Sequence, residues 1–124
     1  MKMLIVDDSK AMRTFLQHIA SELACKTEEA EDGRVGLNKL IKNDPSEPFD
    51  IALVDWDMPV MNGLELVQAV RRNQDFSSLK LMMVTTQNTA ERVAAALEVG
   101  ADDFLMKPVT KESLEEKLQI LGLV

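Results

Sequence analysis

Short unbroken apolar runs alternate along this chain with longer stretches in which apolar residues recur every three or four positions. Lys2–Val6, Phe49–Val54 and Lys80–Val84 are apolar over almost their whole length, which predicts strands buried on both faces. Met12, Phe15, Leu16, Ile19 and Leu23 follow the first run at i, i+3, i+4 spacing and predict a helix through about Leu23, capped by Ser9. Cys25–Ala30 reads as a more polar strand at a sheet edge. A helix is expected from about Gly33 to Lys42, apolar at Val35, Leu37, Leu40 and Ile41. Asn43–Pro48 is a turn-rich loop, and Gly63–Arg72 a helix with Leu64, Leu66, Val67 and Val70 available for packing. Thr89–Val99 is expected as a fourth helix with Gly100 as its C-cap, and Asp103–Met106 as a short fifth strand. Thr110 caps a last helix through Leu121, with Gly122 as its stop. Five strand–helix units predict an α/β domain whose parallel sheet is covered on both faces.

The strand ends carry the chemistry. Asp7 and Asp8 follow the first strand, Asp55 the third, Thr85 the fourth, and Lys107-Pro108 the fifth. In a parallel sheet these side chains converge on the carboxyl edge, where open α/β sheets hold ligands. Carboxylates within about 4 Å of one another repel by roughly 4 kcal/mol per pair at an effective dielectric near 20. Such a cluster calls for a cation, and an oxygen-only ligand set favours Mg²⁺. Singly, each residue also has an ordinary structural reading: Asp7 or Asp8 as a helix cap, Asp55 as a turn former, Thr85 as a strand residue, Lys107 as a solvated lysine. Their joint placement on one rim is what those readings do not explain.

Charge and composition narrow the class. Fourteen basic against twenty-one acidic residues leave a net charge of −7, which argues against nucleic acid as the main partner. The length suits one domain with its own core. A single cysteine, Cys25, excludes an internal disulfide and suits a reducing cytosol. No stretch reaches the length of a membrane span, so a cytoplasmic protein without membrane insertion is expected.

Five segments together carry a resemblance: Val6-Asp7-Asp8-Ser9, Leu53-Val54-Asp55-Trp56-Asp57-Met58-Pro59, Met61-Asn62-Gly63, Val84-Thr85-Thr86 and Lys107-Pro108. In order and spacing the chain resembles the receiver domain of bacterial two-component response regulators, over essentially its whole length. The resemblance implies a flavodoxin-like, CheY-like sheet of order 2-1-3-4-5. It also implies one receiver domain over residues 1–124, with no output domain, since Val124 falls about where the last helix should end. Asp55 would be the phosphoacceptor, taking a phosphoryl group from a sensor histidine kinase or a histidine phosphotransfer protein. Asp7, Asp8, Asp55 and the backbone carbonyl of Asp57 would hold Mg²⁺, while Lys107 and Thr85 would bind the phosphoryl oxygens. The Lys107-Pro108 bond would be cis.

Thr85 and Phe104 would form the switch, the aromatic turning inward as the hydroxyl moves to the phosphoryl group. Phe104 lacks the hydroxyl of the commoner Tyr, and Thr86 replaces a smaller residue, so a less sharply two-state switch is expected. Asp57 and Gln87 would tune the lifetime of the phosphorylated form. The face built by Thr89–Val99, Phe104–Met106 and Thr110–Leu121 would present the output, with Glu112, Glu115, Glu116 and Lys117 giving it a charged, mostly solvated character. A flagellar motor switch protein or a relay component is the expected target, and no catalysis beyond the protein's own phosphorylation and dephosphorylation. The alternative within the fold is a pseudo-receiver that docks partners without phosphorylation. A haloacid dehalogenase-type enzyme would carry its nucleophile after the first strand, and a flavodoxin would carry a Gly/Ser/Thr loop there; acids stand there instead.

Overall fold

A computed structural model describes residues 1–124. Five strands and five helices alternate: β1 (Lys2–Val6), α1 (Lys10–Glu22), β2 (Lys26–Ala30), α2 (Gly33–Lys42), β3 (Ile51–Asp55), α3 (Gly63–Arg71), β4 (Lys80–Thr85), α4 (Ala90–Val99), β5 (Asp103–Met106) and α5 (Lys111–Ile120). All strand pairs are parallel and their order is β2-β1-β3-β4-β5, as the resemblance implied. Because side chains alternate across a pleated strand, the apolar runs split between two cores. Leu4, Val6, Ala52, Val54, Leu81 and Met83 meet Leu40 of α2, Leu66, Val67 and Val70 of α3 and Ala96 of α4 on one face. Met3, Ile5, Ile51, Leu53, Met82 and Val84 meet Leu16 and Ile19 of α1 and Leu114 and Leu118 of α5 on the other. Full burial of each such side chain is worth about 1.5–3 kcal/mol.

The caps Ser9, Thr110 and Gly100 fall where the sequence placed them, and Thr89, expected as the first residue of its helix, is its cap instead. Ser9, Thr89 and Thr110 accept the backbone N–H of Met12, Arg92 and Ser113, and Gly100 closes α4 at φ 111°. β2 alternates exposed and half-buried positions, as an edge strand should. Three details differ. β3 starts at Ile51, because Asp50 uses its carboxylate to accept the N–H of Lys2 at 2.8 Å. A short 3-10 turn, Gln74–Phe76, stands between α3 and β4 with Asn73 as its cap. Lys117 is not solvated like its acidic neighbours; it pairs with both oxygens of Asp103 at 3.1 Å and lies 5.1 Å over the Phe104 ring.

Candidate functional site

The carboxyl ends of β1, β3, β4 and β5 deliver Asp7, Asp8, Asp55, Thr85 and Lys107 to one rim, as parallel pairing of these strands requires. Asp7, Asp55 and Thr85 are the only polar side chains in the chain that are buried. Oxygens of Asp7, Asp8 and Asp55 all lie within 4.8 Å of one another. Lys107 Nζ stands 3.2 Å from Asp55 Oδ1 and 3.5 Å from Asp7 Oδ2, and the Lys107-Pro108 bond is cis. Asp7 is fixed from its own backbone outward. Its Oδ1 accepts the Ser9 N–H at 2.9 Å, and its carbonyl accepts from Arg13, which is itself paired with Glu29. The helix cap is Ser9, so neither acid is spent on capping.

Three carboxylates against one ammonium leave the rim short of positive charge. Burial pushes the Asp55 carboxyl up to about 6, with further repulsion from Asp7 and Asp8 and only partial relief from Lys107. Burial alone would lower Lys107, but the attraction of Asp55 and Asp7 outweighs it and holds the ammonium above its usual range. Oxygen donors alone, crowded and under-neutralised, make a set that fits a hard divalent cation.

The loop after β3 is shaped by backbone contacts. Trp56 N–H donates to the Val84 carbonyl at 3.1 Å, and Gly63 N–H to the Trp56 carbonyl at 2.9 Å. A Cβ at Gly63 would overlap the Asp55 carbonyl oxygen, so glycine is needed there for close approach. The left-handed residue of this loop is Val60, at φ 68°. Asn62 and Glu65 cap α3 reciprocally.

Thr85 faces the β4–α4 loop. Its Oγ1 donates to the Gln87 carbonyl at 3.2 Å and accepts the Gln87 N–H at 3.1 Å. Gln87 and Thr86 themselves are exposed. Phe104 is half-buried and shares a narrow crevice with Trp56, Met83, Thr85 and Arg92. Asp57 turns its side chain onto a partner that sequence reasoning missed. Arg92, in the first turn of α4, reaches Asp57 Oδ1 at 3.2 Å and Oδ2 at 3.4 Å, contacts Thr85 Oγ1 at 3.4 Å, and lies 4.5 Å over the Trp56 ring. Nothing in its local pattern marks it, since the three residues it touches lie seven to thirty-six positions away.

Residues 3–119 match the family model described as the response regulator receiver domain. The chain belongs to that family. This receiver is 37% identical over 122 residues to the chemotaxis protein CheY1 of Helicobacter pylori, an alignment covering 98% of the chain and 96% of that protein. It is 39% identical over 124 residues to the CheY homolog of Campylobacter jejuni, covering 98% and 93%. The structure of the chemotaxis response regulator CheY4 of Vibrio cholerae superposes with a TM-score of 0.88 at 36% identity, over 97% of each chain. The family places the receiver in two-component signalling, and its relatives place it beside the chemotaxis proteins. No helix of the receiver is long and apolar enough to cross a membrane.

Proposed function

We propose that this receiver is a cytoplasmic phosphoacceptor of a phosphorelay, with Asp55 as the residue that carries the phosphoryl group. The observation that supports this most is a buried carboxylate at the end of β3, bonded to Lys107 and flanked by two further acids. At neutral pH Asp55 is largely ionised, so a carboxylate oxygen is available to attack phosphorus once a cation offsets the neighbouring acids. Asp7, Asp8, Asp55 and the Asp57 carbonyl would hold Mg²⁺, which when bound neutralises the acids and the phosphoryl oxygens. An Asp55 oxygen forms the new bond to phosphorus as the bond to the donor's imidazole nitrogen breaks, its electron pair returning to that nitrogen. Lys107, already 3.2 Å from Asp55, follows the charge onto the phosphoryl oxygens.

The Thr85 hydroxyl now bonds to Gln87; exchanging that carbonyl for a phosphoryl oxygen opens the crevice that Phe104 already borders. Phe104 carries the change to the face of α4, β5 and α5, where a chemotaxis target such as a motor switch protein, or a relay component, docks. A sensor kinase or phosphotransfer protein is the donor, and the receiver turns over no other substrate. Asp57 and Gln87 flank the route of a hydrolytic water and set the lifetime. The test is intact-protein mass after incubation with acetyl phosphate. One phosphoryl adduct, dependent on Mg²⁺ and absent from Asp55→Asn, is expected. A folded protein that forms no adduct and binds no beryllofluoride would make it a non-phosphorylated pseudo-receiver.

A further inference from the structure

Arg92 links the loop after β3 to the end of β4 through its side chain alone. Its fork takes both oxygens of Asp57, its Nη1 also meets the Thr85 hydroxyl, and its plane rests on Trp56. Guanidinium suits this task because it is planar, binds carboxylate through two nitrogens and stacks on aromatic rings. The side chain is 23% exposed, so three contacts hold it while Asp57, at 65% exposed, would otherwise move freely in solvent.

We infer that Arg92 is a positioning residue that neutralises the Asp57 carboxylate and holds it to the Thr85 side of the rim, clear of both the metal-binding acids and the incoming phosphoryl donor. This rests on the phosphoacceptor reading of Asp55. Asp57 follows the nucleophile by two positions, so its carboxylate, if released, adds negative charge next to a cluster already short of positive charge. That charge acts in opposite directions on the two things the site binds. It attracts Mg²⁺ and repels a dianionic phosphoryl donor. Arg92 thereby resolves the sign of an acid at position 57, which is otherwise ambiguous.

The test compares wild type with Arg92→Ala, Arg92→Lys and the double variant Arg92→Ala/Asp57→Ala. Trp56, the only tryptophan, reports Mg²⁺ binding by fluorescence, and acetyl phosphate supplies the donor. Arg92→Ala is expected to shift Trp56 emission in the metal-free protein, because the stacked cation is gone. It should bind Mg²⁺ tighter and react with acetyl phosphate more slowly, each by about two- to fivefold, the range of an exposed ion pair. Arg92→Lys should keep most of both values, and the double variant should bring both back toward wild type. Unchanged binding and rate in Arg92→Ala would overturn the inference. So would a slower reaction that removal of the Asp57 side chain fails to restore, since a purely structural loss in α4 has no reason to be repaired there. Should wild type form no adduct at all, the phosphoacceptor reading fails, while Mg²⁺ affinity and Trp56 emission still decide the role of Arg92.

Discussion

Asp55 holds its charge against the fold's interest. Its carboxyl is raised to about 6 in the folded protein, against about 3.9 in an unfolded chain. The folded state therefore keeps its proton to higher pH than the unfolded state, and ionisation destabilises the fold. The penalty is absent below about pH 4, grows between about 4 and 6, and is complete above. Asp55→Asn should accordingly stabilise the metal-free protein at pH 7 by about 1–3 kcal/mol, a gain that vanishes near pH 4. Denaturant unfolding at the two pH values checks this; an equal gain at both would mean that charge is not its origin. Val60 is a second costly residue. A β-branched side chain at φ 68° is strained, while asparagine tolerates that region. Since Val60 is 80% exposed, Val60→Asn should raise stability by about 1 kcal/mol, read from the denaturation midpoint.

Elements show where sequence sufficed and where it did not. Strands were legible because β1, β3 and β4 are apolar on both faces, and helices because Ser9, Thr89, Thr110 and Gly100 mark ends that local hydrogen bonds define. The turn at Gln74–Phe76 is too short for any periodicity to betray it. Side-chain contacts between elements were not legible either. Arg71 lies inside the helix expected over Gly63–Arg72, with nothing local to set it apart, yet it bonds the carbonyls of Phe76, Leu79 and Gly100 and the Asp102 carboxylate, at 2.8–2.9 Å. It thus ties α3, the turn and the start of β5 together across the rim opposite the site. Arg71→Ala should cost about 2–4 kcal/mol, because several carbonyls lose their partner at once. A loss below about 0.5 kcal/mol on chemical unfolding would show that water replaces the guanidinium. Gly63→Ala should impair the site as well as the fold, since its Cβ would press on the Asp55 carbonyl.

For the whole molecule, two cores clamp one parallel sheet, and its carboxyl rim is the place where buried side chains are allowed to be polar. All five residues singled out at strand ends meet there: Asp7, Asp8, Asp55, Thr85 and Lys107. They were legible because a parallel sheet turns sequence position at a strand end into spatial position, whatever the length of the intervening helix. Arg92 reaches the rim from a helix rather than a strand end, so no such rule exposed it. If the proposed function holds, this rim accepts a phosphoryl group on Asp55. The most direct measurement is to phosphorylate the protein with acetyl phosphate and Mg²⁺, reduce with borohydride, and sequence the tryptic peptides. An acyl phosphate on Asp55 is reduced to homoserine, so homoserine at position 55 alone is the expected result. Homoserine at another acid, or a phosphoryl adduct that persists in Asp55→Asn, would mean that Asp55 is not the phosphoacceptor.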